Sequence, residues 1–132
     1  MNFPFAKEII LENVSALLRP LQISDMDNLV KIATEEKDLL QFSPAPIYSE
    51  ELLKSYIEKA LLERKNKSRY YFSIFDKKKN AYAGSTSFLN ISNVDSRVEI
   101  GATWIGREFQ RTGLNRNCKY LLLNFAFGEL GE

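Results

Sequence analysis

Apolar residues recur along this chain with two different periods, and the switches between them mark out the elements. Met26, Leu29, Val30 and Ala33 fall at i, i+3, i+4 and i+7, the spacing of one helix face, and predict a helix over residues 25–36. Ser24 just ahead of it, with Asp27 three positions on, has the form of a capping box. Residues 50–66 repeat the period, with Leu53, Tyr56, Ile57, Ala60 and Leu61 inward. Between these helices, Pro44 and Pro46 lack donors and steer the residues before them away from helix, so 42–49 is a loop.

Elsewhere the period is two. Residues 9–13 and 15–19 predict short strands broken at Asn13, and 69–76, 82–91 and 97–106 predict longer ones. Asp76 to Asn80 is a hairpin turn whose lysines read as solvated. On 97–106, strict alternation puts Val98, Ile100, Ala102 and Trp104 on one face and Glu99, Gly101, Thr103 and Ile105 on the other. Residues 114–130 return to the helical period. Leu114, Cys118, Leu121, Leu122 and Phe125 form one stripe; Tyr120, Leu123, Phe127 and Leu130 form a second, roughly opposite, so cover is expected on two sides. The order of elements predicts an α/β (α+β) fold, a mostly antiparallel sheet flanked by helices.

Composition narrows the functions more than the fold. At 132 residues the chain supports one domain, 1–132, with one core. Its formal net charge of +1 gives no push toward nucleic acid or an anionic membrane. No apolar run approaches the ~20 residues of a membrane span, and the first ten residues lack a signal-peptide design. A single cysteine suits a reducing cytoplasm. With no histidine, a Cys/His pair is excluded and a metal site is not expected. Cys118 sits a full turn inside its helix and reads as core, as does Trp104 in its strand, while Tyr70 and Tyr71 read as sheet aromatics rather than proton donors.

Chemistry concentrates where strand 97–106 passes through REFQRTG into the last helix. Helix starts favour anions and disfavour cations. Yet Arg107, Arg111, Arg116 and Lys119 stand here against Glu108 alone, and Asn115, Arg116 and Asn117 put no acid in the first turn. A phosphate over the helix start would account for that choice, since free N–H groups and the helix dipole converge there. The local residues alone also allow an ordinary strand–helix turn with a solvated basic face.

The run Gln110-Arg111-Thr112-Gly113-Leu114-Asn115 resembles the Gln/Arg-x-x-Gly-x-Gly/Ala signature of the GNAT N-acetyltransferases, with Asn115 in place of the last Gly or Ala. The wider string EIGATWIGREFQRTGLNRNCKYLLLNFAFGELG, with LLRPLQISDMDNLVKIA and YYFSIFDKKKNAYAGSTSF, is similar to the branch that includes ribosomal-protein N-terminal acetyltransferases, and the likeness covers roughly residues 9–132. The resemblance implies acetyl-CoA as cosubstrate, bound by Thr103, Trp104, Ile105, Gln110, Arg111, Thr112, Gly113, Leu114, Asn115 and Arg116. It implies an amine acceptor (a protein N-terminus, a peptide or a small amine), with Phe42 and Tyr48 as contacts. A base must take the amine's proton, and Glu99 is the candidate, since it lies at the start of the strand on the face expected to carry Thr103; a solvated strand carboxylate is the alternative. The family pattern continues past the signature helix with a strand, a helix and a hairpin, which this sequence lacks. The chain is therefore expected to be a C-terminally truncated member whose open surfaces pair in a homodimer. The alternative is a catalytically weak module that holds CoA or recruits a protein.

Overall fold

A computed structural model describes residues 1–35 and 49–128 of the chain. Five strands, β1 (Leu11–Glu12), β2 (Ala16–Pro20), β3 (Tyr70–Asp76), β4 (Ala81–Ser92) and β5 (Arg97–Ile105), form one sheet in chain order, each neighbour antiparallel. Helices α1 (Asp25–Glu35) and α2 (Glu50–Lys65) lie between β2 and β3 in the chain. After β5, a 3-10 turn at Arg107–Phe109 leads into α3 (Leu114–Gly128). Phe42 and Tyr48 fall outside the described residues.

The sheet is covered on both faces. Leu29 and Ala33 of α1 and Leu53, Ile57 and Ala60 of α2 pack with Tyr71 and Trp104 on one face. Leu114, Cys118, Leu122 and Phe125 of α3 pack with Leu18, Tyr70, Phe72, Ile74 and Phe88 on the other. β3, buried on both faces, supplies both clusters, which explains its nearly unbroken apolar run. Burying each large side chain contributes about 1.5–3 kcal/mol before entropy is counted. Of the two stripes on α3, the first is buried apart from the half-buried Leu121, whereas Tyr120, Leu123 and Phe127 of the second are exposed and Leu130 falls outside the described residues.

Polar ties set the ends of the elements. Ser49 caps α2, its hydroxyl accepting from the Leu52 N–H at 3.1 Å. Asp25, not Ser24, organises the start of α1. Its wholly buried carboxylate accepts from the Gln22 N–H at 2.8 Å and pairs with Arg19 at 2.6 Å. The first strand is shorter than its pattern suggests because the Ile9 N–H is taken by the Tyr70 hydroxyl at 2.9 Å instead of a neighbouring strand. Arg64 of α2 donates to the carbonyls of Phe5 and Lys7 and lies over the Tyr70 ring. These ties hold Phe3, Phe5 and Ile9 against the α3-side core.

Strict alternation does not survive on β5. Ser85 pairs with Trp104 and Ser87 with Gly101, so Ala102 and Thr103 stand opposite the single Thr86, a β-bulge, with Ala102 at φ +50°. The extra residue reverses every face after it. Val98, Ile100 and Ile105 pack on the α3 side, while Trp104 packs on the α1–α2 side. The expected grouping of Trp104 with Val98 and Ile100, and of Glu99 with Thr103, is thereby corrected.

Candidate functional site

The bulge and the turn after β5 build a cleft. Gly106 donates to the Ala83 carbonyl at 2.9 Å, which ends the ladder. Phe109, almost wholly buried, plugs the 3-10 turn into the core. The Gln110 side-chain amide donates back to the Ile105 carbonyl at 3.0 Å. Arg111 then takes φ +59° and Gly113 φ +91°, and these left-handed residues turn the chain into α3. The Thr112 hydroxyl donates to the Phe109 carbonyl at 2.7 Å and accepts from the Leu114 N–H. The Asn117 side chain donates to the Gly113 carbonyl at 2.9 Å and is held in turn by Asn13.

The cleft measures about 410 Å³ and is lined by Ile100, Gly101, Thr103, Ile105, Gln110, Arg111, Asn115 and Lys119. No acid is among them. Arg111, Arg116 and Lys119 form no ion pair among the described residues. The amides of Arg111, Thr112, Gly113, Asn115 and Arg116 likewise take no partner among the described residues. Unused donors and unpaired cations thus meet at the positive end of a helix dipole, which suits an anion of phosphate type. On the facing wall, the Thr103 and Thr86 hydroxyls are bonded at 2.8 Å, and the bulge holds main-chain groups out of the ladder.

Of the residues expected to bind the cosubstrate, Thr103, Ile105, Gln110, Arg111 and Asn115 line the cleft together. Thr112 and Gly113 shape the turn behind them. The Leu114 side chain is core, so only its backbone faces the site. Arg116 is exposed beside the cleft rather than in it. The Trp104 side chain lies on the other side of the sheet. There its buried indole N–H has no hydrogen-bond partner among the described residues. Burial pushes the Tyr56 hydroxyl well above its ordinary pKa, against the smaller opposing effect of Ser85.

Glu99 is exposed, pairs in register with Leu89, and accepts from the Asn90 side chain at 2.9 Å. It lies on the α1–α2 side, opposite the cleft, two residues before Gly101. Lys119 was not singled out as a site residue by the sequence. Its signal is the i, i+4 relation to Asn115, which puts both on one helix face. Cys118 is buried and its thiol is pushed up to about 12, first by desolvation and then by Asp76, so it is inert at neutral pH.

The family model for the acetyltransferase (GNAT) domain matches residues 16–132. No curated protein matches the sequence. Among solved structures, a GCN5-related N-acetyltransferase from Brucella melitensis superposes with TM-score 0.81 at 21% identity, over 95% of this chain and 57% of that one. An acetyltransferase from Salmonella typhimurium that modifies the N-terminal serine of a ribosomal subunit protein gives TM-score 0.76 at 23% identity, over 89% of this chain and 68% of that one. A microcin self-immunity acetyltransferase, solved with acetyl-CoA and AMP, gives 0.75 at 24%, over 90% and 66%. At these identities the likeness is one of fold, and this chain spans between about half and two thirds of each neighbour's length.

Proposed function

Because the chain belongs to the GNAT acetyltransferase domain family, we propose that it transfers an acetyl group from acetyl-CoA to a primary amine by direct attack at the cleft between β5 and α3. The acceptor class is a protein N-terminus, a peptide or a small amine. The observation that carries this reading is the cleft itself, where Arg111 and Lys119, without ion pairs among the described residues, and the amides of the turn sit beside the β5 bulge.

Acetyl-CoA supplies an acyl group activated as a thioester. The amides of Arg111, Thr112, Gly113, Asn115 and Arg116 and the Arg111 guanidinium hold the diphosphate. A main-chain N–H at the bulge, at residues 103–105, donates to the carbonyl oxygen as negative charge develops. As the amine nitrogen bonds to the acetyl carbon, the C–S bond breaks and the thiolate leaves with its electron pair, to be protonated from solvent. Glu99, directly or through water, takes the proton that the amine gives up. Its place on the α1–α2 face has it meet an acceptor arriving from that side, across the edge strand from the cofactor cleft.

A second reading has one observation behind it. Tyr120, Leu123 and Phe127 expose an apolar stripe on α3, and such stripes mark contact surfaces. On that reading the chain is a CoA-binding or protein-recruiting module with weak turnover. Within the first reading, a second copy covers the stripe and the protein is a homodimer. No helix among the described residues is long and apolar enough to cross a membrane, and we place the protein in the cytoplasm.

A thiol-release assay over a panel of amines separates the readings. Turnover with at least one amine is expected, with Glu99→Gln lowering kcat by about 10²-fold. Cosubstrate binding without turnover selects the module, and full activity in Glu99→Gln removes Glu99 as the base. Sedimentation giving a monomer at all concentrations removes the homodimer.

A further inference from the structure

We propose that Lys79, at the tip of the β3–β4 hairpin, is a positioning residue for the anion-binding turn. The proposal rests on the cleft being the acetyl-CoA site. In the sequence, Lys77-Lys78-Lys79 looks like a solvated hairpin tip. In the structure the Lys79 ammonium donates to the main-chain carbonyl of Glu108 at 2.7 Å and lies 5.5 Å from the centroid of the Phe109 ring.

Glu108 and Phe109 end the 3-10 turn, and Gln110 and Arg111, the first cleft residues of the loop, follow directly. The tie therefore acts just upstream of the residue that must hold φ +59°. A donor carrying full charge grips a carbonyl more firmly than a neutral one. The hairpin tip is stiff enough to serve as the anchor. Asp76, 3% exposed, accepts from the N–H groups of Lys78 and Lys79 at 2.9 and 3.1 Å. A gap of about 90 Å³, walled by Asp76, Lys78, Lys79, Thr112 and Asn117, separates the tip from the back of the turn. The front of the turn faces the cleft, and Lys79 does not line it. Lys79 thus acts on the ligand only through the turn.

Losing the tie leaves Phe109 in the core and both strands paired, so the fold survives while the turn samples more conformations. Binding must then order the turn again, and affinity falls.

Lys79→Met keeps the aliphatic stem over Phe109 and removes the charge and the donor; Lys79→Arg keeps both. Acetyl-CoA is titrated calorimetrically into the wild type and both variants, and amide exchange is followed at residues 109–113. Binding by Lys79→Met is expected to weaken about three- to tenfold, as for an exposed charge-assisted hydrogen bond. Lys79→Arg stays near wild type, and melting temperatures agree within about 2 °C. Exchange at 109–113 quickens in Lys79→Met alone. In turnover, KM for acetyl-CoA rises while kcat and the KM for the amine hold. Wild-type affinity in Lys79→Met, or equal weakening in both variants, overturns the proposal. If the wild type binds no acetyl-CoA, the cleft reading fails, and the exchange rates alone decide the tie: faster in Lys79→Met supports it, unchanged overturns it.

Discussion

Gly84→Ala probes the contact that fixes the bulge. A Cβ at Gly84 would lie 2.0 Å from the Trp104 carbonyl oxygen, 3.0 Å from its carbon and 3.1 Å from the Ile105 Cα. All three are backbone atoms, so no side chain can swing aside. Ordinary contact begins at 3.4 Å, so β4 and β5 must part by about 1.4 Å where Gly84 pairs with Ile105. Overpacking of this kind costs about 1–3 kcal/mol. The neighbouring Gly106-to-Ala83 hydrogen bond, 2.9 Å long, is strained with it, for about 1 kcal/mol more. The expected loss is about 2–4 kcal/mol, or a melting temperature lower by about 6–15 °C for a chain of this size. Thermal unfolding followed by far-ultraviolet circular dichroism reads it out. Gly128→Ala, whose added Cβ meets nothing within 4 Å, is the control and is expected to melt no lower than wild type. If Gly84→Ala melts with the wild type, the close approach of β4 to the residue after the bulge is wrong, and the cleft wall built on it with it.

Arg19→Met strands the wholly buried Asp25 carboxylate without its 2.6 Å partner, and the denaturant midpoint is expected to fall by an equivalent of about 3 kcal/mol, with the slope unchanged. Alkaline pH tests the buried hydroxyls and thiol. Burial raises Tyr56, Tyr70 and Tyr71 above their usual range and Cys118 from 9.0 to about 12. Above pH 9 the unfolded chain has therefore shed protons that the native chain keeps, and stability falls as pH rises through that window, by at most about 1.4 kcal/mol per pH unit for each group. Flat urea midpoints from pH 8.5 to about 11 would contradict this. Cys118 should also resist alkylation at neutral pH until the protein unfolds.

Much of this molecule is legible in its pattern. The helical faces Leu29/Ala33 and Leu53/Ile57/Ala60 and the antiparallel order of the strands follow from periodicity, because each element buries one regular face. The turn at Gln110–Asn115 is legible as a turn because Gly113 suits the left-handed backbone there, and the cations around it stand out because a helix start disfavours them. What the pattern hides is register. Nothing in RVEIGATWIG marks Ala102 as surplus to the ladder, and one extra residue is enough to send Trp104 to the opposite core. The lysine run hides its ties for a related reason. Lys77 meets Glu12 and Lys79 meets the Glu108 carbonyl, partners 65 and 29 residues away, and local composition says nothing about such pairings. Lys119 counts in the sequence only as one of four cations near the helix start, and the cleft beside it is what sets it apart as a lining residue.

The most direct measurement is a calorimetric titration of acetyl-CoA into the wild-type chain and into Arg111→Glu. The wild type is expected to bind one acetyl-CoA per chain, and Arg111→Glu at least tenfold more weakly with an unchanged melting temperature, since Arg111 is exposed and makes no ion pair among the described residues. No heat of binding in the wild type, or equal affinity in the two proteins, would contradict the claim that the turn after β5 holds the cosubstrate.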